Sequence, residues 1–332
     1  MADTYRALVV EEKNGHFVRS IQQRSLQTLM AEPLNDELLV RVNYSSLNYK
    51  DALSATGNKG VTRNYPHVPG IDAVGVVEQS DSNRFTSGDA VIVTSYDLGM
   101  ETDGGFGEYI RVPASWALPL PNELDAKEAM VLGTAGLTAG MCVRHITSTL
   151  TPQDGAIAVS GASGGVGSLA VAILAKLGYQ VTAISGKSGE FLKQLGASEV
   201  IPREELSDED ARPMLKARFA GAIDTVGGPI LENLIKSLKA NGIITCCGLA
   251  ASPNLSLTVF PFILRGISLI GIDSQDCPMH LRKAIWQLLS AEWKPDSIMS
   301  LCQRVPLSDL EQHINWILQG KVQGRTLVDL SQ

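Results

Sequence analysis

The sequence predicts an α/β protein of two parts, one rich in antiparallel strands and one built on a doubly wound parallel sheet. From residue 154 to about residue 274, apolar β-rich runs alternate with helical patterns, which is typical of a parallel sheet covered by helices. Roughly the first 120 residues show alternating segments separated by Gly, Pro, Asn and Asp clusters, which is typical of strands and turns. A chain of 332 residues is long enough for about two such domains.

The β-rich part begins with four segments of alternating polarity. They predict strands over 38–47, 73–79, 89–94 and 108–112. After residue 274, a helical pattern runs to about Trp293, and a second spans 305–320. A last strand is predicted over 325–330, and we expect this tail to return to the first part.

Six strands are predicted in the parallel part, most of them followed by a helix or a glycine. Their ranges are 156–160, 180–185, 199–201, 221–225, 242–246 and 267–272. Six such units fit the strand order 3-2-1-4-5-6, in which ligands bind at the carboxyl ends of the strands, where the order reverses beside the first strand.

A glycine-rich loop follows the first of these strands and opens a helix predicted over 166–177. It reads Gly161-Ala162-Ser163-Gly164-Gly165-Val166-Gly167. Glycines allow a tight turn and let backbone N–H groups approach a pyrophosphate at the positive end of the helix. The spacing is not a strict GxGxxG, and the alternative is a tight strand–helix turn without a ligand. The surrounding units favour a dinucleotide site.

The end of the second strand predicts which dinucleotide binds. An NAD site usually has Asp or Glu there, which accepts a hydrogen bond from the ribose 2′-hydroxyl. Here the chain reads Ser185-Gly186-Lys187, and a hydroxyl with a cation favours a 2′-phosphate, hence NADPH. Arg203 either adds a second positive group or is a solvated surface arginine.

Composition excludes several other classes of function. The 28 Lys and Arg against 35 Asp and Glu give a net charge of −7, which opposes binding to nucleic acid or anionic membranes. The chain has neither a long apolar run nor a secretion signal near Met1, so we expect a cytoplasmic protein. The five cysteines lack CxxC spacing and the histidines lack HExxH, so we expect no zinc. Cys246 and Cys247 are expected to be small buried residues at a strand end.

Several motifs, in this order and spacing, resemble one family. Besides the glycine loop and Ser185-Gly186-Lys187, they are Ser45-Ser46-Leu47-Asn48-Tyr49-Lys50-Asp51, Pro69-Gly70-Ile71-Asp72, Cys247-Gly248-Leu249-Ala250, Gly271-Ile272-Asp273-Ser274 and Gln323-Gly324-Arg325-Thr326-Leu327-Val328. They cover essentially the whole chain. The sequence resembles the zinc-free medium-chain dehydrogenase/reductases, most closely the bacterial acrylyl-CoA reductases that are also described as quinone oxidoreductases.

The resemblance implies a fold and an activity. A GroES-like β-rich catalytic domain would span 1–122 and 294–332, and a Rossmann NADPH-binding domain would span 123–293. The reaction would be hydride transfer from NADPH to the β-carbon of acrylyl-CoA, giving propionyl-CoA, and the chain would form a homodimer.

The resemblance also bears on the metal. Zinc-dependent relatives carry a catalytic Cys near the segment 47–51 and a Gly-His-Glu where this chain has Gly70-Ile71-Asp72, so both metal-binding side chains are missing here. Reduction of an enoyl thioester does not need that Lewis acid, because the thioester carbonyl already conjugates with the alkene. It needs positioning and charge stabilisation instead.

The family's site residues carry over to matching positions. Cofactor contacts would be Tyr49, Ser163, Gly164, Gly165, Val166, Ser185, Gly186, Lys187, Arg203, Leu249, Ile263, Ser274 and Arg325. The candidate catalytic residues are Tyr49, Asn48, Asp51 and Asp72. Tyr49 would either serve the enolate as a hydrogen-bond or proton donor or only close the pocket. Asn48 and Asp51 would alternatively hold the turn. Asp72 lies in an apolar stretch, so it would need a partner if buried and is expected to organise the pocket.

Two alternatives to acyl-CoA reduction stay open. One is a reductase of quinones or reactive enones with the same fold, which also acts on a small molecule. The other is a non-catalytic NADPH-binding redox sensor, because a fold alone does not fix a function.

Overall fold

The computed structural model describes residues 3–187, 189–207 and 211–331, which form two compact units. The strands in chain order are β1 (Thr4–Lys13), β2 (His16–Ser25), β3 (Glu37–Leu47), β4 (Asp72–Ser80), β5 (Ala90–Thr94), β6 (Tyr109–Pro113), β7 (Ala117–Pro119), β8 (Ile157–Ser160), β9 (Val181–Ser185), β10 (Glu199–Pro202), β11 (Phe219–Asp224), β12 (Leu238–Cys246), β13 (Ser268–Gly271), β14 (Cys302–Pro306) and β15 (Arg325–Asp329). The helices are α1 (Leu26–Leu29), α2 (Tyr49–Ser54), α3 (Ala126–Thr149), α4 (Gly165–Lys176), α5 (Glu190–Gln194), α6 (Glu204–Ser207), α7 (Gly228–Lys236), α8 (Phe260–Arg265), α9 (Met279–Ser290) and α10 (Leu310–Leu318).

The first unit is built on a seven-stranded sheet with the order β14-β15-β3-β4-β5-β7, in which β6 also pairs with β3. Its four predicted N-terminal strands correspond to β3, β4, β5 and β6, so those predictions are confirmed. The predicted last strand is β15, which pairs antiparallel with β3 through Thr326 and Leu47. The tail therefore returns to the first part, as expected. The β1–β2 hairpin was not predicted from the sequence.

The second unit contains the parallel sheet, with the order β10-β9-β8-β11-β12-β13. All six predicted strands are present, and this order is the predicted 3-2-1-4-5-6 arrangement. The direction of chain connection reverses between β8 and β11. Ser160, Ser185 and Asp224 end three of these strands and therefore lie along one edge of the sheet.

The compact units have boundaries that differ from those expected. Residues up to Thr134, 275–290 and from 297 onward belong to the first unit, and 135–274 and 291–296 to the second. Within the first unit, the backbone N–H of Thr134 donates to Asp72 Oδ1 at 2.9 Å, and buried Arg282 in α9 donates to the Thr94 carbonyl oxygen at 2.8 Å. Both contacts join residues of the first unit that lie far apart in the sequence.

One helix among the described residues, α3, is long and apolar enough to cross a membrane by length and composition. However, 83% of its most apolar window is buried inside the structure. Its helical geometry is also broken at Gly133, where φ is 51° and ψ is −152°. We interpret α3 as a core helix.

Candidate active site

The glycine loop lies between β8 and α4 in the second unit. Gly161 has a φ of 57°, in the left-handed region that favours glycine. A Cβ on Gly167 would overlap the carbonyl oxygen of Gly161, so a side chain there would push the helix away from the loop. Gly164 precedes the helix and has no side chain with which to cap it. The first N–H groups of α4 are thus suited to a pyrophosphate, and the loop fits a dinucleotide.

The three groups predicted to recognise a 2′-phosphate lie together at the neighbouring strand ends. The Ser185 hydroxyl donates to Ser163 Oγ at 3.2 Å and accepts from the backbone N–H of Lys187 at 3.0 Å. Ser185 pairs with Pro202 across β9 and β10, so Arg203 follows on the adjacent strand. A Cβ built on Gly186 would lie 3.1 Å from Arg203 Nε. The structure therefore brings Ser185, Lys187 and Arg203 to one place around Gly186.

The two cations differ in their surroundings. Burial lowers the pKa of Lys187 below that of a solvated lysine. Arg203 is largely exposed and donates to Glu204 Oε1 at 3.2 Å. An ion pair this exposed contributes little to stability, so the guanidinium can exchange that partner for a phosphate at small cost. Of the two readings of Arg203, this position favours the cofactor contact.

Other predicted cofactor contacts fall in two different places. Leu249 is 65% exposed and lines a cavity of about 670 Å³ beyond the ends of β12 and β13. Cys246 and Cys247 also line it and are half-buried, rather than buried as expected. Ser274 follows β13 and accepts a hydrogen bond from the Thr138 hydroxyl at 2.8 Å. These residues belong to the carboxyl edge of the sheet.

Ile263 is 68% exposed, and its assignment as a cofactor contact stays a prediction. It belongs to α8, whose Arg265 donates to the carbonyl oxygens of Lys236 and Leu238 at 2.7 and 2.8 Å. Leu238 is the first residue of β12, so α8 ends beside the amino end of that strand. The cofactor loop lies at the opposite end of the sheet.

In the first unit, the carboxylate of Asp72 is completely buried and surrounded by hydrogen-bond donors. Oδ1 accepts from the backbone N–H and the hydroxyl of Thr134, at 2.9 and 2.6 Å. Oδ2 accepts from the Ser46 hydroxyl at 2.6 Å and from Asn48 Nδ2 at 2.8 Å. Arg325 Nη2 lies 3.8 Å from Asp72 Oδ2 and supplies the opposite charge. The partner that a buried Asp72 requires is therefore present.

Arg325 is committed to the same network, which corrects its predicted role as a cofactor contact. The whole residue is only 3% exposed, and burial lowers the pKa of its guanidinium. It donates to Ser46 Oγ at 2.7 Å, to Asn48 Oδ1 at 3.0 Å and to the Val131 carbonyl oxygen at 2.9 Å. A longer bond of 3.4 Å reaches the Leu47 carbonyl oxygen. These bonds and the ion pair occupy the five N–H groups, so Arg325 acts through its neighbours.

Asn48 and Asp51 hold the start of α2. Asp51 Oδ2 accepts from the backbone N–H of Asn48 at 2.7 Å, and Oδ1 accepts from the Ile71 N–H at 2.8 Å. The two residues form a reciprocal capping box. Burial, followed by the nearby charge of Asp72, raises the pKa of Asp51 to about 7. This arrangement favours the turn-holding role for both residues over direct chemistry.

Tyr49 is the candidate residue of this group that reaches solvent. It is the first residue of α2, directly after the capping residue Asn48, and is 43% exposed. The buried network beneath it, made by Ser46, Asp72 and Arg325, therefore supports the backbone that carries the phenol. The arrangement can present the Tyr49 hydroxyl as a hydrogen-bond donor on a backbone that is held in place by hydrogen bonds.

Several residues that hold the buried carboxylates of the two units were not predicted from the sequence. Thr134 and Ser46 donate hydrogen bonds to the Asp72 carboxylate. Residue 133 has to be glycine for the chain to pass so close to that carboxylate, because a Cβ there would lie 2.5 Å from Asp72 Oδ2. In the second unit, Asp224 is fully buried and accepts from Ser160 Oγ at 2.6 Å. The signals available were a glycine inside a helical pattern and a charge at the end of an apolar strand.

No group of three or more His, Cys, Asp or Glu side chains that could hold a metal ion occurs within residues 3–187, 189–207 and 211–331. At the position discussed for relatives with zinc, Asp72 already has its four donors and Arg325. A cation would displace a buried guanidinium rather than enter an acidic site. The donor set is that of an ion-pair network.

Two family models match the two parts of the chain. Residues 34–122 match the alcohol dehydrogenase GroES-like domain, and residues 165–291 match the zinc-binding dehydrogenase domain. Together with full-length relatives at 40–44% identity, these matches show that the chain belongs to the medium-chain dehydrogenase/reductase family. It is an oxidoreductase with a GroES-like domain and a Rossmann-type nucleotide-binding domain.

Two individual relatives are similar to this chain over nearly its whole length. Acrylyl-CoA reductase AcuI of Ruegeria pomeroyi is 40% identical over 98% of this chain and 99% of its own length. YhfP of Bacillus subtilis, whose name carries quinone oxidoreductase as a provisional activity, is 44% identical over 99% of this chain and its full length. Its crystal structure with NAD has a TM-score of 0.94 at 41% identity, covering 99% of this chain and 100% of that one.

A third relative bears on the cofactor. YhdH of Escherichia coli K-12, solved with bound NADPH, has a TM-score of 0.93 at 42% identity and covers 98% of this chain and 100% of its own. The NADPH predicted for this chain agrees with that relative. Since the B. subtilis structure contains NAD, the choice between the two forms has to be argued from the side chains around Gly186.

Proposed function

We propose that this chain reduces the C=C bond of an enoyl thioester with NADPH, and that it converts acrylyl-CoA to propionyl-CoA. The observation that carries the proposal is the saturated network around Asp72. Alcohol oxidation by the zinc-dependent members of the family uses a Lewis acid, and here the corresponding place is filled by an internally neutralised ion pair. An activated alkene is the acceptor that this arrangement suits, because its own carbonyl withdraws the charge.

The residues of the first unit then have distinct roles. NADPH, when bound, supplies the hydride that reaches the β-carbon. Negative charge then develops on the thioester oxygen, and a proton has to reach the α-carbon. We assign the Tyr49 hydroxyl as the hydrogen-bond donor to that oxygen. Asn48, Asp51 and Asp72 position Tyr49 and touch neither reactant, because their polar atoms are occupied by one another and by the surrounding network.

The second unit supports binding of NADPH rather than NADH. The loop Gly161–Gly167 would hold the pyrophosphate at the start of α4, and Ser185, Lys187 and Arg203 would hold the 2′-phosphate. A carboxylate that would repel this phosphate is absent from the strand end at Ser185-Gly186-Lys187. We expect this activity in the cytoplasm, where NADPH is available to a reductase.

We also propose that the working form is a homodimer joined through the second unit. β13 is an edge strand of the six-stranded sheet, and such an edge is a template for pairing with another strand. Beside it, α8 exposes Ile263 and Leu264 at 68% and 61%. A second copy of the same edge would cover both features symmetrically.

The acceptor is tested by steady-state kinetics with NADPH and three substrates, acrylyl-CoA, crotonyl-CoA and a small quinone. We expect the highest kcat/KM with acrylyl-CoA. Equal or faster NADPH consumption with the quinone would instead support the second candidate, a quinone or enone reductase, which the name of the B. subtilis relative favours. Tight NADPH binding without turnover of any acceptor would support a redox sensor.

A further inference from the structure

A buried carboxylate lies at the point where the strand order of the second unit reverses. Asp224 ends β11, is completely buried, and adjoins the end of β8. Burial raises its pKa. Its carboxylate is hydrogen-bonded to Ser160, Val226 and Gly227, and these bonds indicate a positioning role.

Asp224 joins the ends of two strands to the start of a helix. Oδ1 accepts from the Ser160 hydroxyl at 2.6 Å, and Ser160 is the last residue of β8. Oδ2 accepts from the backbone N–H groups of Gly227 and Val226 at 2.7 and 3.3 Å, just before α7. The carboxylate therefore ties β8 to the beginning of α7 across the switch point.

Thr225 completes this junction next to the glycine loop. Its backbone N–H donates to Ser160 Oγ at 3.0 Å, and its hydroxyl donates to the Ser160 carbonyl oxygen at 2.9 Å. That carbonyl belongs to the peptide that leads into Gly161. A Cβ on Gly161 would overlap the Thr225 hydroxyl, so Thr225 packs directly against the first residue of the loop. Ser160 is held on its side chain and its backbone at once.

We propose that Asp224 is a positioning residue for the cofactor, acting through Ser160 and Thr225. By fixing the end of β8, it sets the left-handed conformation of Gly161 and thereby the direction in which the loop and the first N–H groups of α4 face the pyrophosphate. Preorganised donors bind a ligand better than donors that have to be ordered on binding. This inference rests on the proposed use of NADPH.

The test compares Ser160→Ala with Thr151→Val in the full chain. Thr151 is a matched control, because its hydroxyl also bonds an aspartate, Asp154 Oδ2 at 2.9 Å, in an exposed turn of the same unit. NADPH and NADH dissociation constants are measured by fluorescence titration, together with the Tm of the cofactor-free protein. We expect Ser160→Ala to weaken binding about tenfold, with kcat at saturating NADPH within about twofold of wild type. Thr151→Val should leave the dissociation constant unchanged.

Thr225→Val is the second variant, because it removes one hydroxyl without disturbing the carboxylate. It should weaken NADPH binding in the same direction. Unchanged binding by folded Ser160→Ala and Thr225→Val proteins overturns the inference, and so does equal weakening by Thr151→Val. The titration needs no acceptor, so it separates this inference from the choice of substrate. A wild-type chain that binds neither cofactor overturns both the inference and the proposed function.

Discussion

Buried carboxylates have different tasks at the two candidate sites, and their donors identify those tasks. Asp72 is neutralised by Arg325 and saturated by Thr134, Ser46 and Asn48. Asp224 accepts only uncharged donors, from Ser160 and two backbone N–H groups. In both cases the carboxylate is completely buried and hydrogen-bonded to its neighbours, so it holds the local structure in place. We therefore propose that direct contact with substrate and cofactor is made by side chains outside these networks, Tyr49, Lys187 and Arg203.

Replacing Tyr49 with Phe tests whether the phenol acts on the substrate. Loss of a hydrogen bond to the developing enolate oxygen should lower kcat with acrylyl-CoA about 10- to 100-fold. The dissociation constant for NADPH should not change. Tyr109→Phe, on β6, is the matched control and should leave kcat unaltered. A higher KM with an unchanged kcat would show that Tyr49 only closes the pocket.

The double replacement of Lys187 and Arg203 by Ala tests recognition of the 2′-phosphate. We expect the ratio of kcat/KM for NADPH to that for NADH to fall about 10- to 100-fold, because NADH lacks the phosphate that these cations would bind. Lys239→Ala removes a lysine at the opposite edge of the same sheet and should leave the ratio as in the wild type. An unchanged ratio in the double variant would contradict the assignment.

At the scale of elements, two short interruptions shape the first unit. The capping box of Asn48 and Asp51 starts α2 just after β3 ends, which places Tyr49 at the beginning of the helix. The break of α3 at Gly133 turns the chain so that Thr134 can donate twice to Asp72. A continuous helix could not direct both Thr134 groups at that carboxylate while leaving the Val131 carbonyl oxygen to Arg325.

Gly133→Ala tests this break. The added Cβ would combine a φ of 51° with positions 2.5 Å from Asp72 Oδ2 and 2.9 Å from Ser46 Oγ. We expect the free energy of unfolding in urea to fall by about 3 kcal/mol, from backbone strain and the disturbed buried charge. Gly88→Ala is the control, since Gly88 has a φ of 97° but no atom within 4 Å of an added Cβ. It should cost about 1 kcal/mol. Equal losses would mean that contact with Asp72 has no effect.

At the scale of the whole molecule, assembly is the property with the clearest surface signal. The edge strand β13 and the exposed apolar residues of α8 belong to the same unit, and we propose them as the dimer interface. The unpaired N–H and C=O groups of an exposed edge strand can pair with strands of other chains and cause aggregation. In a symmetric dimer, the same edge of a second copy covers these groups.

Leu264→Glu tests the dimer by analytical ultracentrifugation. A charge at this exposed apolar position should shift the protein from dimer to monomer at micromolar concentration, because the buried carboxylate would be desolvated in the interface. Val18→Glu places the same charge on an exposed apolar position of β2, where 42% of the side chain is accessible, and should remain dimeric. Sedimentation of the wild type as a monomer would refute the proposed interface.

Much of the fold followed from local patterns. The six parallel strands, their order, the glycine loop and the return of the C-terminal strand were all predicted, because strand periodicity and glycine spacing are properties of contiguous residues. Ser185, Lys187 and Arg203 were predicted to lie together for the same reason, since parallel strand ends lie at one edge, and the structure places them around Gly186. The β1–β2 hairpin was missed although its two-residue turn, Asn14-Gly15, is a local hairpin signal. The unit boundaries were not found, because the first unit includes contacts made far along the chain, such as that of Arg282 with Thr94.

The sequence by itself determined an α/β protein with a dinucleotide loop and predicted a phosphate-binding strand end at Ser185-Gly186-Lys187. Only the tertiary structure decided what the buried charges do. Asp72 and Arg325 are more than 250 residues apart in the sequence, and pairing of β15 with β3 and of β3 with β4 brings them together. Tertiary packing likewise buries Arg325 among the hydrogen-bond partners of the Asp72 network. Burial and donor geometry determine whether a charge binds a ligand or holds a backbone, and neither is encoded by local spacing.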